Sequence, residues 1–260
     1  MTGVQTCALI YAASYPSSAN AISHIGFCFS FPAEITEKLD AKILKWAKEL
    51  KISGGTGNYV AASLRNALKQ INAPVIKVLN DATATLLGSY NKAQIAFVLG
   101  TGSNMAFVDE DGQIINLESG TYDCFPQSNF DIQLDRASSN PGESLAEKMI
   151  SGAYLDELVR ITEDAARKAG FRDTVSADLT LHDAIRATIA ARAGKIAAAE
   201  ISAVIEYLHT DSKEITIIAE GSTFYKAQGL HASIEKFLPK VKFINIDSAT
   251  LIGAARVVLN

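Results

Sequence analysis

The 260-residue sequence predicts a mixed α/β fold, in which strands come first, long helices follow and strand–helix units end the chain. In the first half, short apolar runs end at turn residues, which is typical of buried strands. In the second half, two long alanine-rich stretches, 143–169 and 181–208, have the apolar spacing of amphipathic helices. Near the C-terminus, the apolar runs 215–219 and 241–246 are each followed by a helical pattern.

The first elements are predicted from their residue spacing. Residues 1–22 are expected to be irregular because they are rich in loop-forming residues. Residues 25–31 alternate and are aromatic, which predicts a strand that ends at Pro32. Residues 37–50 carry apolar side chains at helical spacing, so we predict a helix there. Asn58 is expected to cap the helix that follows.

The remaining elements follow from the same signals. Buried strands are predicted at 75–79 and 95–99, with a short helix between them, because each run ends at polar turn residues. The turn residues 109–112 lie between two further apolar runs and predict a hairpin. Two C-terminal helices are expected at 224–237 and 249–258.

Composition excludes several classes of function. The net charge is −4 and no basic stripe occurs, which argues against a nucleic-acid partner. The three cysteines and four histidines are widely spaced, so a metal cage of these residues is not expected and a reduced cytoplasmic setting fits best. No apolar run has the length needed to span a bilayer, so a membrane partner is not expected either.

The dipeptide Asn80-Asp81 closes the strand 75–79 and is the first candidate for chemistry. A carboxylate at this position is suited to accept a proton from a hydroxyl group, which makes Asp81 the candidate catalytic base. The neighbouring Asn80 is suited to hydrogen-bond a polyol. The alternative is that the dipeptide only caps the helix after it.

Two small-residue turns are candidates for phosphate binding. The first, Gly100-Thr101-Gly102, closes the strand 95–99 and can bring backbone N–H groups up to a phosphate, although no P-loop lysine follows. The second follows Glu220 at the entry of a helix, where N–H groups favour phosphate or ribose oxygens. The alternative for both is an ordinary turn after a strand. The residues of the second turn are Gly221, Ser222 and Thr223.

Several polar side chains are suited to bind a sugar, because planar amides and carboxylates make paired hydrogen bonds to hydroxyl groups. The alternatives are a polar strand face, solvated helix charges or a loop position. The candidates are Ser30, Lys48, Asn80, Asn104, Glu118 and Glu147.

Taken together, these segments resemble the hexokinase family of sugar kinases, within the actin-like ATPase superfamily. The resemblance covers about residues 25–258. Its most specific part is Asn-Pro-Gly at 140–142, followed by Glu-Lys-Met-Ile-Ser-Gly at 147–152 and Glu-Leu-Val-Arg at 157–160. Other parts are the strand 25–32 and the segment 220–226.

The resemblance implies a two-lobed α/β protein of the actin-like (ribonuclease H-like) fold. An incomplete small lobe would span 23–80 and a large lobe 81–260, with the last helix returning to the small lobe. The implied activity is ATP-dependent phosphorylation of a hexose, with glucose as the first choice, at the 6-hydroxyl, as in the first step of glycolysis. Mg²⁺ would bridge the ATP phosphates.

The resemblance also implies roles for individual residues. Asp81 would take the proton from the sugar hydroxymethyl group. The hexose pocket would be lined by Ser30, Lys48, Asn80, Asp81, Asn104, Glu118 and Glu147. The nucleotide would be met by Gly100, Thr101, Gly102, Gly221, Ser222 and Thr223.

The sequence departs from the family pattern at four places, one of which is Ala47, where the family usually has Thr. Glu220 stands where the family usually has Asp, and 250–255 is a reduced form of its last glycine-rich turn. The first phosphate segment, of the Asp-Leu-Gly-Gly-Thr-Asn type, is absent upstream of Ile25, and residues 2–9 are similar to the translation of a common sequencing adapter. We therefore expect a C-terminal piece of a longer kinase, with little activity of its own. Alternatives are a non-catalytic sugar-binding or regulatory protein on this fold, or an ATPase or phosphatase of the superfamily.

Overall fold

The computed structural model describes residues 8–14, 22–46, 52–68, 75–176, 178–209 and 214–259. The strands are β1 (Ala8–Ser14), β2 (Ile22–Phe29), β3 (Ala33–Ile35), β4 (Ala41–Ile43), β5 (Val75–Leu79), β6 (Ile95–Leu99), β7 (Ser103–Val108), β8 (Ile114–Asn116), β9 (Thr174–Ser176), β10 (Leu179–Thr180), β11 (Ile215–Glu220) and β12 (Val241–Ile244). The helices are α1 (Val60–Ala67), α2 (Asp81–Gly88), α3 (Asn129–Ala137), α4 (Leu145–Ile150), α5 (Gly152–Lys168), α6 (Leu181–Tyr207), α7 (Ser222–Lys226), α8 (Leu230–Phe237) and α9 (Ala249–Leu259).

The larger sheet has the strand order β12-β11-β6-β7-β8. The first three strands are parallel, whereas β7 and β8 are antiparallel to their neighbours. Side chains alternate between its two faces, as a pleated strand requires. Phe97 packs in the core beneath the long helices α5 and α6, and Ala96 packs on the opposite face with α2 and α9. Small residues on that second face allow α2 and α9 to approach closely.

A second sheet has the strand order β1-β2-β5 and a separate core. β2 pairs in parallel with β5 and antiparallel with β1. Phe29, Phe31 and Trp46 pack edge to face beside Ile43, which closes one side of this core. The two sheets pack around separate cores, and residue 80, where the lobe boundary is predicted, lies between β5 and α2.

The last helix, α9, lies between the two lobes. A Cβ atom added at Gly26 of β2 would lie 2.0 Å from the carbonyl oxygen of Ala254, so α9 rests directly on the backbone of the small-lobe sheet. The same helix touches α2, because a Cβ atom at Gly253 would lie 1.8 Å from the carbonyl oxygen of Ala84. The segment 250–255 is therefore helical, although its sequence resembled a reduced glycine-rich turn.

Two predictions for the small lobe were wrong. The segment 1–22, expected to be irregular, contains β1, whose antiparallel pairing with β2 was not identifiable from local composition. A helix was expected at 37–50, but residues 37–46 form part of the β3–β4 hairpin and the irregular chain after it. Residues 47–50 lie outside the described residues. Leu39 adopts a positive φ of 56° in the hairpin turn, which stops a helix from continuing.

Three helix boundaries also differ from the prediction. Tyr59, and not Asn58, precedes α1, and it makes no side-chain cap. The helix expected over 143–169 is interrupted at Ser151, and the helix expected over 224–237 is interrupted near Gly229, whose φ is 84°. The remaining predicted strands and helices, including the long helix over 181–208, lie within a few residues of their expected positions.

Candidate active site

A cleft of about 740 Å³ lies where the C-terminal ends of β5, β6 and β11 meet. Ser30 and Pro32 line it from the small-lobe side, and the loops of the large lobe line the rest. In sheets with parallel strands, ligands bind at the carboxyl ends of the strands, where loops and helix N-termini converge. Both predicted polar signals, at the ends of 75–79 and 95–99, therefore reach the same cleft.

Asn80 and Asp81 begin α2. The Oδ1 atom of Asn80 accepts a hydrogen bond from the backbone N–H of Ala82 over 2.9 Å, so Asn80 is the helix cap. Asp81 is the first helical residue, is partly exposed and lines the cleft. The cap that was considered as an alternative is thus present, and it fixes the backbone from which the Asp81 carboxylate projects.

A network of amide and carboxylate side chains covers the cleft floor. The Nδ2 group of Asn104 donates to Asn80 Oδ1 over 3.0 Å and to Asn116 Oδ1 over 2.9 Å. The Nδ2 groups of Asn80 and Asn116 both donate to Glu118 Oε1, over 3.2 and 2.8 Å. Because each amide is held at both ends, the network presents its polar atoms in one fixed arrangement.

Glu118 holds an uncommon backbone conformation at the cleft. Its φ of 51° and ψ of 44° are left-handed, and a short 3₁₀ turn, Ser119–Thr121, follows it. Within that turn, a Cβ atom at Gly120 would lie 2.8 Å from the carbonyl oxygen of Ser103. Left-handed residues other than glycine cost free energy and often mark functional sites. The close approach at Gly120 lets Glu118 face the end of β7.

Glu147 is buried at the wall of the cleft, and is not the solvated helix charge considered as an alternative. Its Oε2 atom accepts a hydrogen bond from the Ser103 backbone N–H over 3.0 Å. The next residue, Lys148, is 2% exposed and donates from Nζ to Asp135 Oδ1 over 2.6 Å and to the Asn140 carbonyl over 2.8 Å. This buried ion pair anchors the short helix α4 that carries Glu147.

The two glycine turns are in contact with each other. The carbonyl oxygen of Gly100 accepts hydrogen bonds from Thr223 Oγ1 over 2.7 Å and from the Gly152 N–H over 2.8 Å. Gly221 has a φ of 111°, and a Cβ atom there would lie 2.3 Å from the carbonyl oxygen of Leu99. A side chain at Gly221 would therefore separate the turns. Together the turns leave a bare backbone surface, which is suited to a nucleotide phosphate.

The structure brings most of the predicted site residues together. Thr223 lies behind the turns with its hydroxyl group turned to Gly100, and Lys48 lies outside the described residues. The predicted residues that line the cleft are Ser30, Asn80, Asp81, Gly100, Thr101, Gly102, Asn104, Glu118, Glu147, Gly221 and Ser222.

Several residues in or behind the cleft were not predicted from the sequence. Asn116 completes the amide network, but a single Asn at a strand end carries no distinctive signal. Tyr225 lines the cleft near Ser222 and donates its hydroxyl to the Ala219 carbonyl over 2.9 Å. Burial raises the pKa of the Tyr225 hydroxyl group. Thr85 and Thr250 were missed because their shared partner, Glu220, is distant in the chain.

Comparison with known proteins identifies the family. A family model described as "Hexokinase" matches residues 94–163 and 162–259, and a second model with the same description matches residues 9–90. The chain belongs to the hexokinase family. The resemblance to hexokinases inferred from the sequence is therefore confirmed.

Individual hexokinases are similar over different lengths. Chloroplastic hexokinase-2 of Nicotiana tabacum is 29% identical over 78% of this chain and 54% of its own length. Hexokinase-1 of Spinacia oleracea is 36% identical over 60% of this chain and 36% of its own length. The chain thus spans about half, or less, of the curated hexokinases that it matches.

A solved hexokinase has the same fold. The structure of Schistosoma mansoni hexokinase in complex with glucose aligns with a TM-score of 0.69 and 22% identity, over 88% of this chain and 69% of that chain. This alignment confirms the two-lobed sugar-kinase fold predicted for the chain. No helix among the described residues is long and apolar enough to cross a membrane.

Proposed function

We propose that this hexokinase-family chain binds a hexose and ATP in the cleft and transfers the terminal phosphoryl group of ATP to the 6-hydroxyl of the sugar. The observation that carries the proposal is the position of Asp81. Its carboxylate opens α2 beside the amide network, and the cleft wall opposite is the bare turn at Gly100–Gly102. A base, a polyol-binding surface and a phosphate-binding surface thus share one cavity.

The hexose would lie on the amide network. Asn104 uses both amide hydrogens within the network and so fixes the positions of Asn80 and Glu118, whose amide and carboxylate groups face the cleft. Glu147 and Ser30 add polar atoms from two other sides. Hydroxyl groups of a sugar both donate and accept, so mixed amides and carboxylates match them well. We propose glucose as the first substrate to test, because a structurally similar hexokinase is known in complex with glucose.

The nucleotide would lie across the two glycine turns. Backbone N–H groups near Gly102 and at the start of α7 would meet the phosphates, and Gly221 and Ser222 would meet the adenosine. Among the described residues, no cluster of three or more His, Cys, Asp or Glu side chains is arranged to hold a metal ion. Mg²⁺ would be held by the ATP phosphates, whose charge it neutralises in phosphoryl transfer.

The reaction needs one proton transfer and one displacement. Asp81 would accept the proton of the sugar 6-hydroxyl group, while the oxygen of that hydroxyl group forms a bond to the terminal phosphorus atom of ATP. The bond from that phosphorus to the bridging oxygen breaks, and ADP leaves with the electron pair. Positioning of the two substrates contributes most of the catalysis in such reactions. Closure of the lobes over the sugar would exclude water and limit ATP hydrolysis.

A coupled assay of ADP formation, run with and without glucose, tests the proposal against its alternatives. ADP formation that depends on glucose, even at a low rate, supports the kinase. Glucose binding measured by calorimetry without any ADP formation supports a non-catalytic sugar-binding protein. ATP turnover that is independent of hexose supports an ATPase or phosphatase.

A further inference from the structure

Three elements meet at a partly buried hydrogen-bonded group formed by Thr85, Glu220 and Thr250, which we name the Thr–Glu–Thr node. Glu220, at the end of β11, accepts a hydrogen bond from Thr85 Oγ1 over 2.9 Å through Oε2, and the same oxygen accepts one from Thr250 Oγ1. The two hydroxyl groups also lie 2.8 Å apart. Both threonines are at most 3% exposed, whereas Glu220 is partly exposed and lines the cleft. The node ties β11 to both α2 and α9.

Thr85 of the node lies in the same helix, α2, as the candidate base Asp81. Thr85 lies four residues after Asp81 in α2, so the two side chains share one face of the helix. The helix is only eight residues long, and a rotation that displaces the Thr85 hydroxyl therefore also turns the Asp81 carboxylate. The hydrogen bond from Thr85 to Glu220 thus holds the direction in which Asp81 points.

Glu220 of the node adjoins the turn Gly221–Thr223, the proposed nucleotide contact. Glu220 directly precedes Gly221 and Ser222, which line the cleft. Gly221 lies against the Leu99 carbonyl with no room for a Cβ atom, so the turn rests firmly on β6. A ligand that presses on this turn therefore acts on the backbone that carries the Glu220 side chain.

The packing of α2 against α9 makes the two helices one mechanical unit. A Cβ atom at Gly88 would lie 2.0 Å from the Ala249 carbonyl oxygen, and one at Gly253 would lie 1.8 Å from that of Ala84. Backbones in such close contact have no freedom to slide independently. A displacement of Glu220 is therefore passed to α2 and α9 together.

We propose that Glu220 is a positioning residue, which couples occupation of the nucleotide turn to the orientation of Asp81 through Thr85. This inference rests on the proposed function, because it takes Asp81 as the base and Gly221–Ser222 as nucleotide contacts. Through this coupling, bound nucleotide would orient the Asp81 carboxylate. The coupling depends on the hydrogen bonds from Thr85 and Thr250 to Glu220, each of which a single substitution can remove.

Hydrogen exchange of α2 measures the coupling without any need for turnover. In the unaltered chain, saturating Mg-ADP with glucose present should slow amide exchange in the peptide that covers Asp81–Gly88. The Thr85→Val variant, which lacks the hydroxyl group at nearly equal volume, should bind Mg-ADP but lose at least half of this protection. Thr85→Ser keeps the hydroxyl group and should restore it.

Two substitutions at Glu220 test the same coupling at the acceptor of the Thr85 hydrogen bond. Glu220→Gln keeps an acceptor oxygen for both threonines and should retain the ADP-dependent protection. Glu220→Asp withdraws the carboxylate by about 1.5 Å and should lose it. In turnover, Thr85→Val and Glu220→Asp should lower kcat about tenfold or more and leave the KM for glucose within about twofold, since the sugar contacts are untouched.

Thr162→Val is the matched control, because the Thr162 hydroxyl donates only to the Leu158 carbonyl of its own helix, over 2.7 Å. This variant should keep the full ADP response. If the unaltered chain binds Mg-ADP by calorimetry and α2 shows no change, or if Thr85→Val retains the change, the coupling is contradicted while the proposed function stands. If the unaltered chain binds no Mg-ADP, the proposed function fails and the coupling fails with it.

Discussion

Asn104 donates a hydrogen bond from its side-chain amide to the side-chain oxygen of Asn80 over 3.0 Å, and this contact joins β7 of the larger sheet to the end of β5. The two residues are 24 positions apart, and each follows one of the apolar runs that indicated strands. The same Asn80 oxygen also caps α2. One contact therefore fixes the floor of the sugar surface and the start of the helix that carries Asp81.

Removal of the Asn104 side chain should weaken hexose binding. In Asn104→Ala, the amide network loses its central member, and the backbone N–H of Met105 loses its side-chain acceptor. We expect glucose affinity to fall about tenfold or more, with a loss of about 1–3 kcal/mol in the free energy of unfolding. Calorimetry with glucose and urea unfolding check the two values. Asn129→Ala, an exposed position at the start of α3, should change neither.

The buried ion pair of Lys148 and Asp135 should stabilise the wall that carries Glu147. Lys148→Met leaves Asp135 without its cation, and we expect a loss of about 3 kcal/mol in the free energy of unfolding. Arg160→Gln removes two exposed ion pairs on α5, with Glu157 and Asp164, and should leave the melting temperature almost unchanged. Thermal unfolding of both variants measures the difference. Equal changes in melting temperature in Lys148→Met and Arg160→Gln would contradict the prediction that the buried ion pair stabilises the fold more than the exposed one.

Glu200 should make the stability of the chain depend on pH. Both of its carboxyl oxygens are buried in α6 without a hydrogen-bond partner among the described residues, and burial raises its pKa to about 8 from an ordinary value of 4.5. The folded state holds the proton where the unfolded state has lost it. Stability contributed by the protonated group is therefore complete below pH 4.5 and is lost as pH rises toward about 8.

The Glu200→Gln variant isolates this effect. Between pH 5 and 8, its free energy of unfolding should lack a downward slope that in the unaltered chain reaches up to about 1.4 kcal/mol per pH unit. Urea unfolding across that range measures the slope. Glu206→Gln, an exposed glutamate on the same helix, should keep the slope of the unaltered chain. An identical slope in Glu200→Gln and the unaltered chain would contradict the assignment.

Much of the fold was predictable because apolar runs that end at turn residues are local features. β5 and β6 were found in this way, and so were the polar residues at their ends. The helix expected at 37–50 failed because Ile43 fits both helical and strand spacing. Its true environment is the β3–β4 hairpin, in which Ala41 and Ile43 are buried alternately. Local spacing cannot distinguish these cases when only tertiary packing decides between them.

The site was predictable where residue type alone indicates chemistry, and not where a distant partner decides. Asn80, Asp81 and the glycine turns carry their own signals. The break between α4 and α5 depends on Gly152, whose N–H donates to the Gly100 carbonyl and whose missing side chain leaves room for Thr223. The bond between Thr85 and Glu220 spans 135 positions and has no local signature.

The central claim is that Asp81 removes the proton of the hexose 6-hydroxyl. Asp81→Asn keeps an oxygen for the Ala82 N–H at the helix start, so the fold should be retained. Asp156→Asn, exposed on the outer face of α5, serves as control. The measurement is ³¹P NMR of the chain, each variant in turn, with glucose and Mg-ATP. We predict that the unaltered chain and the control form glucose 6-phosphate at equal rates, and that Asp81→Asn forms it at a rate lower by a factor of about 100 or more. Equal rates of glucose 6-phosphate formation from Asp81→Asn and the unaltered chain would contradict the account.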